Sequence, residues 1–154
     1  MSKDLVIIDP SAGLREAFSL MRMNGIRHLP VVASDREIVG ILSDRDIARA
    51  MQSTITRTGK NQVTESDEIP LDLKVTDFMS WPVIAFEKNS DIRDVATSMI
   101  ERKISAVLIR SDDQIEGIIT SEDLLKVLVK ILSKEPSTPR IFISEIEDYF
   151  PNYT

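Results

Sequence analysis

Two residue pairs stand out for chemistry. Ser43 is followed three residues later by Asp46, and Thr120 by Asp123; each pair closes an apolar run. That spacing is almost one helical turn and puts the hydroxyl where a helix would begin. A helix start offers backbone N–H groups and a partial positive charge to an anion such as phosphate. The hydroxyl can donate to a phosphate oxygen. An ionised aspartate accepts two hydrogen bonds, which suits the paired hydroxyls of a ribose, as acidic residues do in dinucleotide folds. The same residues also suit plain helix capping, a hydroxyl cap with a first-turn acid favoured by the helix dipole. Cations lie nearby in sequence. Arg27-His28 precedes an apolar strand, and Arg45 and Arg49 are i, i+4 neighbours. A phosphate in an acidic protein needs such charge-assisted donors, although two arginines at that spacing also describe an ordinary exposed helix face.

Other chemistry is poorly supplied. His28 is the only histidine, and there is no cysteine. Thiolate nucleophiles, disulfides, zinc ribbons and iron–sulfur sites are therefore excluded. No G-x-S-x-G elbow, H-E-x-x-H, P-loop or G-x-G-x-x-G occurs, so a non-enzyme with no metal site is expected. Met21, Met79 and Met99 read as core filler. The net charge of −6, from 19 basic and 25 acidic residues, argues against general nucleic-acid binding. Near the middle of the chain, the longest uncharged stretch is Phe78 to Phe86, far short of the roughly 20 residues needed to span a bilayer. The opening MSKDLVIIDPS carries no basic stretch followed by a long apolar run. A cytoplasmic protein is expected, with no membrane or nucleic-acid partner; the lack of cysteine is compatible with a reducing compartment.

The elements that must position these residues come as a repeat. The stretch from Val6, VIIDPSAGLREAFSLMRMNGIRHLPVVASDREIVGILSDRDI, resembles that from Val83, VIAFEKNSDIRDVATSMIERKISAVLIRSDDQIEGIITSEDL. Val6 and Ile7 fall on Val83 and Ile84; Arg15, Met21 and Ile26 fall on Arg93, Met99 and Ile104; Gly40 and Asp46 fall on Gly117 and Asp123. Each copy reads as strand, helix, strand, strand, helix. In the first, Leu5–Ile8 is a short apolar run stopped by Asp9-Pro10-Ser11. Leu14, Ala17, Phe18 and Met21 form the stripe of an amphipathic helix, with Ser11 as its cap and Gly25 as its stop. Strands follow at Leu29–Val32 and Ile38–Leu42, then a helix near Asp44 capped by Ser43. The second copy has a stripe of Ile92, Val95, Ala96, Met99 and Ile100, strands at Ala106–Ile109 and Ile115–Ile119, and a helix from Ser121 to Leu132. Asp112-Asp113 reads as a hairpin turn. The chain divides into a first motif at 1–51, a polar linker at 52–73, a second motif at 74–133 and a tail at 134–154. The linker is aperiodic and predicted to be mobile. In the tail, Phe142, Ile146, Tyr149 and Phe150 fit one helix face, which predicts a docking segment.

Three phrases resemble the cystathionine β-synthase (CBS) domain family in its paired form, the Bateman module. They are Gly25-Ile26-Arg27-His28-Leu29-Pro30-Val31-Val32; Gly40-Ile41-Leu42-Ser43-Asp44-Arg45-Asp46 with its twin Gly117-Ile118-Ile119-Thr120-Ser121-Glu122-Asp123; and Val75-Thr76-Asp77-Phe78-Met79-Ser80-Trp81-Pro82-Val83-Ile84. The likeness covers Leu5 to Leu132. It implies a mixed α/β fold: two tandem β-α-β-β-α motifs packed with pseudo-twofold symmetry. It implies a ligand containing adenosine (AMP, ADP, ATP or another adenosyl compound) in the cleft between motifs, with no cofactor required.

The resemblance also implies crosswise sites. One would combine Thr120 and Asp123 with Ile7, Ile8, Arg27 and His28. The other would combine Ser43 and Asp46 with Val83, Ile84, Ser105 and Ala106, drawing cations from Arg45 or Arg49. The expected function is a non-catalytic regulatory module that responds to ligand through conformation or assembly. A homodimer formed through its helices is expected, and a client protein is possible. The alternative is a ligand-free module for dimerisation or protein interaction.

Overall fold

A computed structural model of the chain describes residues 5–34, 37–58, 69–111 and 114–134, with side chains described outside 53–58 and 134. The tail, the Asp112-Asp113 turn and the centre of the linker lie outside these residues. Helix α1 (Leu14–Asn24) leads to the hairpin β1 (His28–Val32) and β2 (Ile38–Ser43), then α2 (Asp44–Thr58). After a 3-10 turn at Val75–Asp77 come β3 (Ala85–Glu87), α3 (Ile92–Arg102), β4 (Ala106–Ser111), β5 (Gln114–Thr120) and α4 (Ser121–Lys134). Strands β1 and β2 pair antiparallel. Strand β4 lies between β3, parallel to it, and β5, antiparallel to it.

The two halves repeat each other closely. His28 sits opposite Ser43, and Ala106 opposite Thr120. The ladder slips by one residue after Val31 and, at the matching place, after Ile109. The turns after α1 and α3 also match: Gly25 and Lys103 both close their helices in the left-handed conformation, at φ 61° and 54°. Glycine takes that conformation without steric cost, whereas lysine is strained there.

Local chemistry sets the helix ends, with one departure from expectation. Ser11 does not cap α1. Its backbone N–H and its hydroxyl both bond Asp9 Oδ1, at 2.8 and 2.5 Å, in a local turn. Gly13 takes the cap position instead, with no side-chain bond. The first apolar run is also not a full strand. Only Ile8 bridges β1, through Ile8 N–H to Pro30 O at 3.0 Å and Val32 N–H to Ile8 O at 2.9 Å. Pro30 has no N–H to extend that pairing.

The larger core joins both motifs. Leu14, Ala17, Met21, Leu29, Val31, Leu42 and Ile47 pack with Ile69, at the end of the linker, and Val75, at the start of the second motif. Leu14 N–H bonds Leu73 O at 2.9 Å, and Val75 N–H bonds Ala12 O at 2.9 Å. Ile41 and Ser80 exchange both backbone bonds, at 3.1 and 2.8 Å. At Gly40 a Cβ would stand 2.5 Å from Met79 Sδ, so glycine is what admits this crossing. The linker is correspondingly shorter than expected. Gln52–Thr58 continue α2, and Ile69 is fully buried with its carbonyl held by Arg15 Nη2 at 2.8 Å. The second core is smaller and gathers Val95, Met99, Val107 and Ile109. Along α4, Leu125, Leu128, Val129, Ile131 and Leu132 remain exposed. Among the described residues no helix is long and apolar enough to cross a membrane.

Candidate functional site

At each strand-to-helix junction the hydroxyl and the aspartate close on one another. Asp123 Oδ2 accepts from the backbone N–H and the hydroxyl of Thr120, both at 2.9 Å. Asp46 Oδ2 accepts the equivalent pair from Ser43, at 2.8 and 2.6 Å. In return, Asp123 N–H and Asp46 N–H each lie 3.3 Å from the hydroxyl oxygen. This is a reciprocal cap. Each hydroxyl gives its proton to the aspartate three residues on.

The junctions then diverge. Asp46 is 5% exposed, and its other oxygen pairs with Arg49 three residues on. Asp123 is only partly buried and lines a cleft of about 210 Å³ between the two halves. From the first half come Leu5, Val6, Gly25, Ile26, Arg27, His28, Pro30, Asp44 and Arg45. From the second come Ser105, Ile118, Thr120, Ser121, Glu122, Asp123 and Lys126. A side-chain bond ties the halves there: His28 Nε2 and Ser105 Oγ are 2.9 Å apart.

Charges at the cleft are largely paired. Arg27 Nε donates to Asp44 Oδ2 at 2.7 Å, and Lys126 Nζ lies 2.8 Å from Glu122 Oε1. The hydrogen bond that Arg27 donates to Asp44 raises the Arg27 pKa, and the one that Lys126 donates to Glu122 raises Lys126 and lowers Glu122. Burial pushes the His28 imidazole below its usual value of 6.5, against the pull of Asp44. His28 is therefore neutral at pH 7. For Asp123, burial raises the carboxyl, but the hydrogen bonds from Thr120 oppose it and the net shift is downward.

Several expected site residues sit elsewhere. Thr120, Asp123, Arg27 and His28 share the cleft, but Ile7 and Ile8 do not line it. Ile8 is 4% exposed in the larger core, and Ile7 is 48% exposed. Ile8 bridges Val31 as Phe86 pairs with Ile109, so Val6, not Ile7, corresponds to Ile84. Leu5 and Val6 take the wall positions. Ser105 and Arg45, expected at the Ser43/Asp46 site, line the Thr120/Asp123 cleft. Val83, Ile84 and Ala106 are not among its lining residues. Ala106 is buried, Ile84 packs against the smaller core, and its carbonyl accepts Leu108 N–H at 3.0 Å. The weight of Asp44 and Lys126 was not legible in the sequence; the only trace was Lys126 standing four residues after Glu122.

The CBS domain family model matches residues 1–53 and 75–130. The chain belongs to the CBS domain family. A CBS domain-containing protein of Dictyostelium discoideum is 28% identical over 137 residues, covering 88% of this chain and 92% of that one. The chloroplastic CBS domain-containing protein CBSX1 of Arabidopsis thaliana is 25% identical, covering 84% and 61%. Other relatives are much longer. A homoserine O-acetyltransferase of Methanohalobium evestigatum matches 83% of this chain over only 23% of its own length. Among solved structures, the CBS domain pair of protein MJ0100 superposes with a TM-score of 0.68 at 25% identity, covering 82% of this chain and 93% of that one. It was solved with 5′-methylthioadenosine and S-adenosyl-L-methionine. CBSX2, solved with AMP, gives 0.62 at 21% identity, covering 83% and 90%.

Proposed function

We propose that this CBS pair is a non-catalytic regulatory module that binds one adenosine-containing nucleotide in the Thr120/Asp123 cleft. The observation that carries the reading is the meeting of Asp123 and Thr120 from one half with Arg27 and His28 from the other around a single opening. Asp123 offers its carboxylate to the ribose hydroxyls from the second half of the cleft. Leu5 and Val6 supply an apolar wall for adenine. Arg27 and Arg45 meet phosphate. The pseudo-equivalent Ser43/Asp46 site stays empty, since Arg49 occupies the face of Asp46 that a ribose would need. A relative solved with AMP and another with adenosyl compounds support the ligand class.

Ligand acts by favouring one conformation or assembly over another, which requires different affinity for the two. The exposed α4 stripe supports a homodimer as the assembly that responds, in a cytoplasmic setting compatible with the cysteine-free chain. It also favours the second reading, a dimerisation or interaction module without ligand. A thermal-shift series with AMP, ADP, ATP, NAD and S-adenosylmethionine tests the choice. A true ligand at a hundred times its Kd stabilises by about 2.7 kcal/mol. No shift with any of them, with the protein folded, leaves the second reading.

A further inference from the structure

We propose that the cleft selects a nucleoside monophosphate over the polyphosphates, with Glu122 as the specificity-determining residue; this rests on the nucleotide reading above. Among the described residues, Arg27, Arg45 and Lys126 line the opening with the carboxylates Asp44, Glu122 and Asp123. His28 adds no charge at pH 7, because burial holds it neutral. Two of the cations are already engaged: Arg27 by Asp44 at 2.7 Å, and Lys126 by Glu122 at 2.8 Å. Among the described residues, Arg45 has no carboxylate within ion-pair distance.

A single phosphate carries up to about two negative charges at pH 7. Arg45 and a share of Arg27 can match that charge. Each added phosphate brings further negative charge to a cleft whose remaining cation is held by Glu122. Glu122 also lies in the first turn of α4 beside Asp123, and its field reaches Arg27 from the opposite half. A polyphosphate tail running out of this opening therefore passes carboxylates, and like charges brought together oppose binding. Adenosine alone forgoes Arg45 altogether. The affinity order that follows has AMP above both adenosine and ATP.

Calorimetry on the full chain, in buffer free of divalent cations, reads this order with adenosine, AMP and ATP. ATP is expected to bind roughly tenfold or more weakly than AMP. In Glu122→Gln, which keeps the side-chain shape and frees Lys126, the ATP-to-AMP ratio of Kd values is expected to narrow by about fivefold or more. Raising the salt should narrow the wild-type ratio as well, because exposed charges are screened. Equal binding of AMP and ATP to the wild type, both lost in Asp123→Ala, keeps the nucleotide reading and overturns the selection. An unchanged ratio in Glu122→Gln also overturns the role of that residue. If folded wild type binds none of the three, the nucleotide reading falls and the selection with it.

Discussion

Asp46 and Asp123 hold the backbone in the same way and differ in burial. Asp46 has both oxygens engaged in a buried setting, so its loss should register in stability. Asp46→Ala strands the Ser43 N–H and should cost about 1–3 kcal/mol in urea unfolding, with nucleotide affinity little changed. Asp123→Ala should show the reverse weighting: affinity lower by about tenfold or more, with the smaller loss of stability. A variant pair in which Asp46→Ala removes binding and Asp123→Ala leaves it intact would reverse the assignment of the site. His28 gives a prediction in pH. Its folded-state pKa is depressed by burial below the usual 6.5, so the unfolded chain binds its proton first as pH falls. Stability is therefore full above about pH 6.5 and declines as pH drops through that value toward the folded pKa. With one histidine in the chain, His28→Gln should flatten unfolding free energy between about pH 5 and 7. An unaltered slope in that variant would show that other groups carry it.

Among the elements, the short turns out of α1 and α3 offer a matched comparison. Gly25 and Lys103 occupy the same left-handed stop, and only one of them is suited to it. No atom lies within 4 Å of a Cβ at Gly25, so Gly25→Ala should cost about 1 kcal/mol through backbone conformation alone. Lys103→Gly should stabilise the fold by a similar amount, up to about 1 kcal/mol. Both are read as shifts in thermal midpoint, and opposite signs are required. Gly25 as a helix stop and Ser43 and Thr120 as helix starts were legible in the sequence because a cap is settled within one turn of chain. The Leu5–Ile8 segment was not legible to the residue. Every position in it is apolar, so no alternation fixes which side chain faces the core, and a one-residue offset moves the wall from Ile7 and Ile8 to Leu5 and Val6. Ile69 was hidden for another reason: it is one apolar residue at the end of a polar stretch, and its burial comes from α1 and the Arg15 bond to its carbonyl.

At the scale of the whole molecule, the halves match in fold and differ in finish. The first motif is sealed by the opening of the second, whereas α4 presents Leu125 at 61% and Val129 at 63% exposure. Leucines and valines at i, i+3, i+4 and i+7 along one helix are the pattern that buries itself against a partner. Light scattering is expected to find a dimer, about twice the 17.4 kDa of the chain. Leu128→Lys with Leu132→Lys should yield a folded monomer, since both side chains already face water in the single chain. A wild type that stays at 17.4 kDa at high concentration would remove the homodimer and leave the stripe to another occupant. Nucleotide binding should saturate at one per chain, because Arg49 and the burial of Asp46 leave one junction open.

The sequence by itself determined the repeat, the helix–hairpin–helix order in each copy and the caps at Ser43 and Thr120. These depend on composition and on spacing within a turn or a strand. Tertiary structure alone decided what gathers beside each junction. Asp46 meets Arg49 three residues on along α2, whereas the entrance of β1 brings Arg27 and His28, and the start of α2 brings Arg45, to the cleft that Asp123 lines. It also decided that Asp44 and Glu122 hold the cleft's cations. The neighbours of a charged side chain in space, not in sequence, set whether it is spare or spent, because Coulomb attraction acts over a few ångströms wherever the chain brings the groups together.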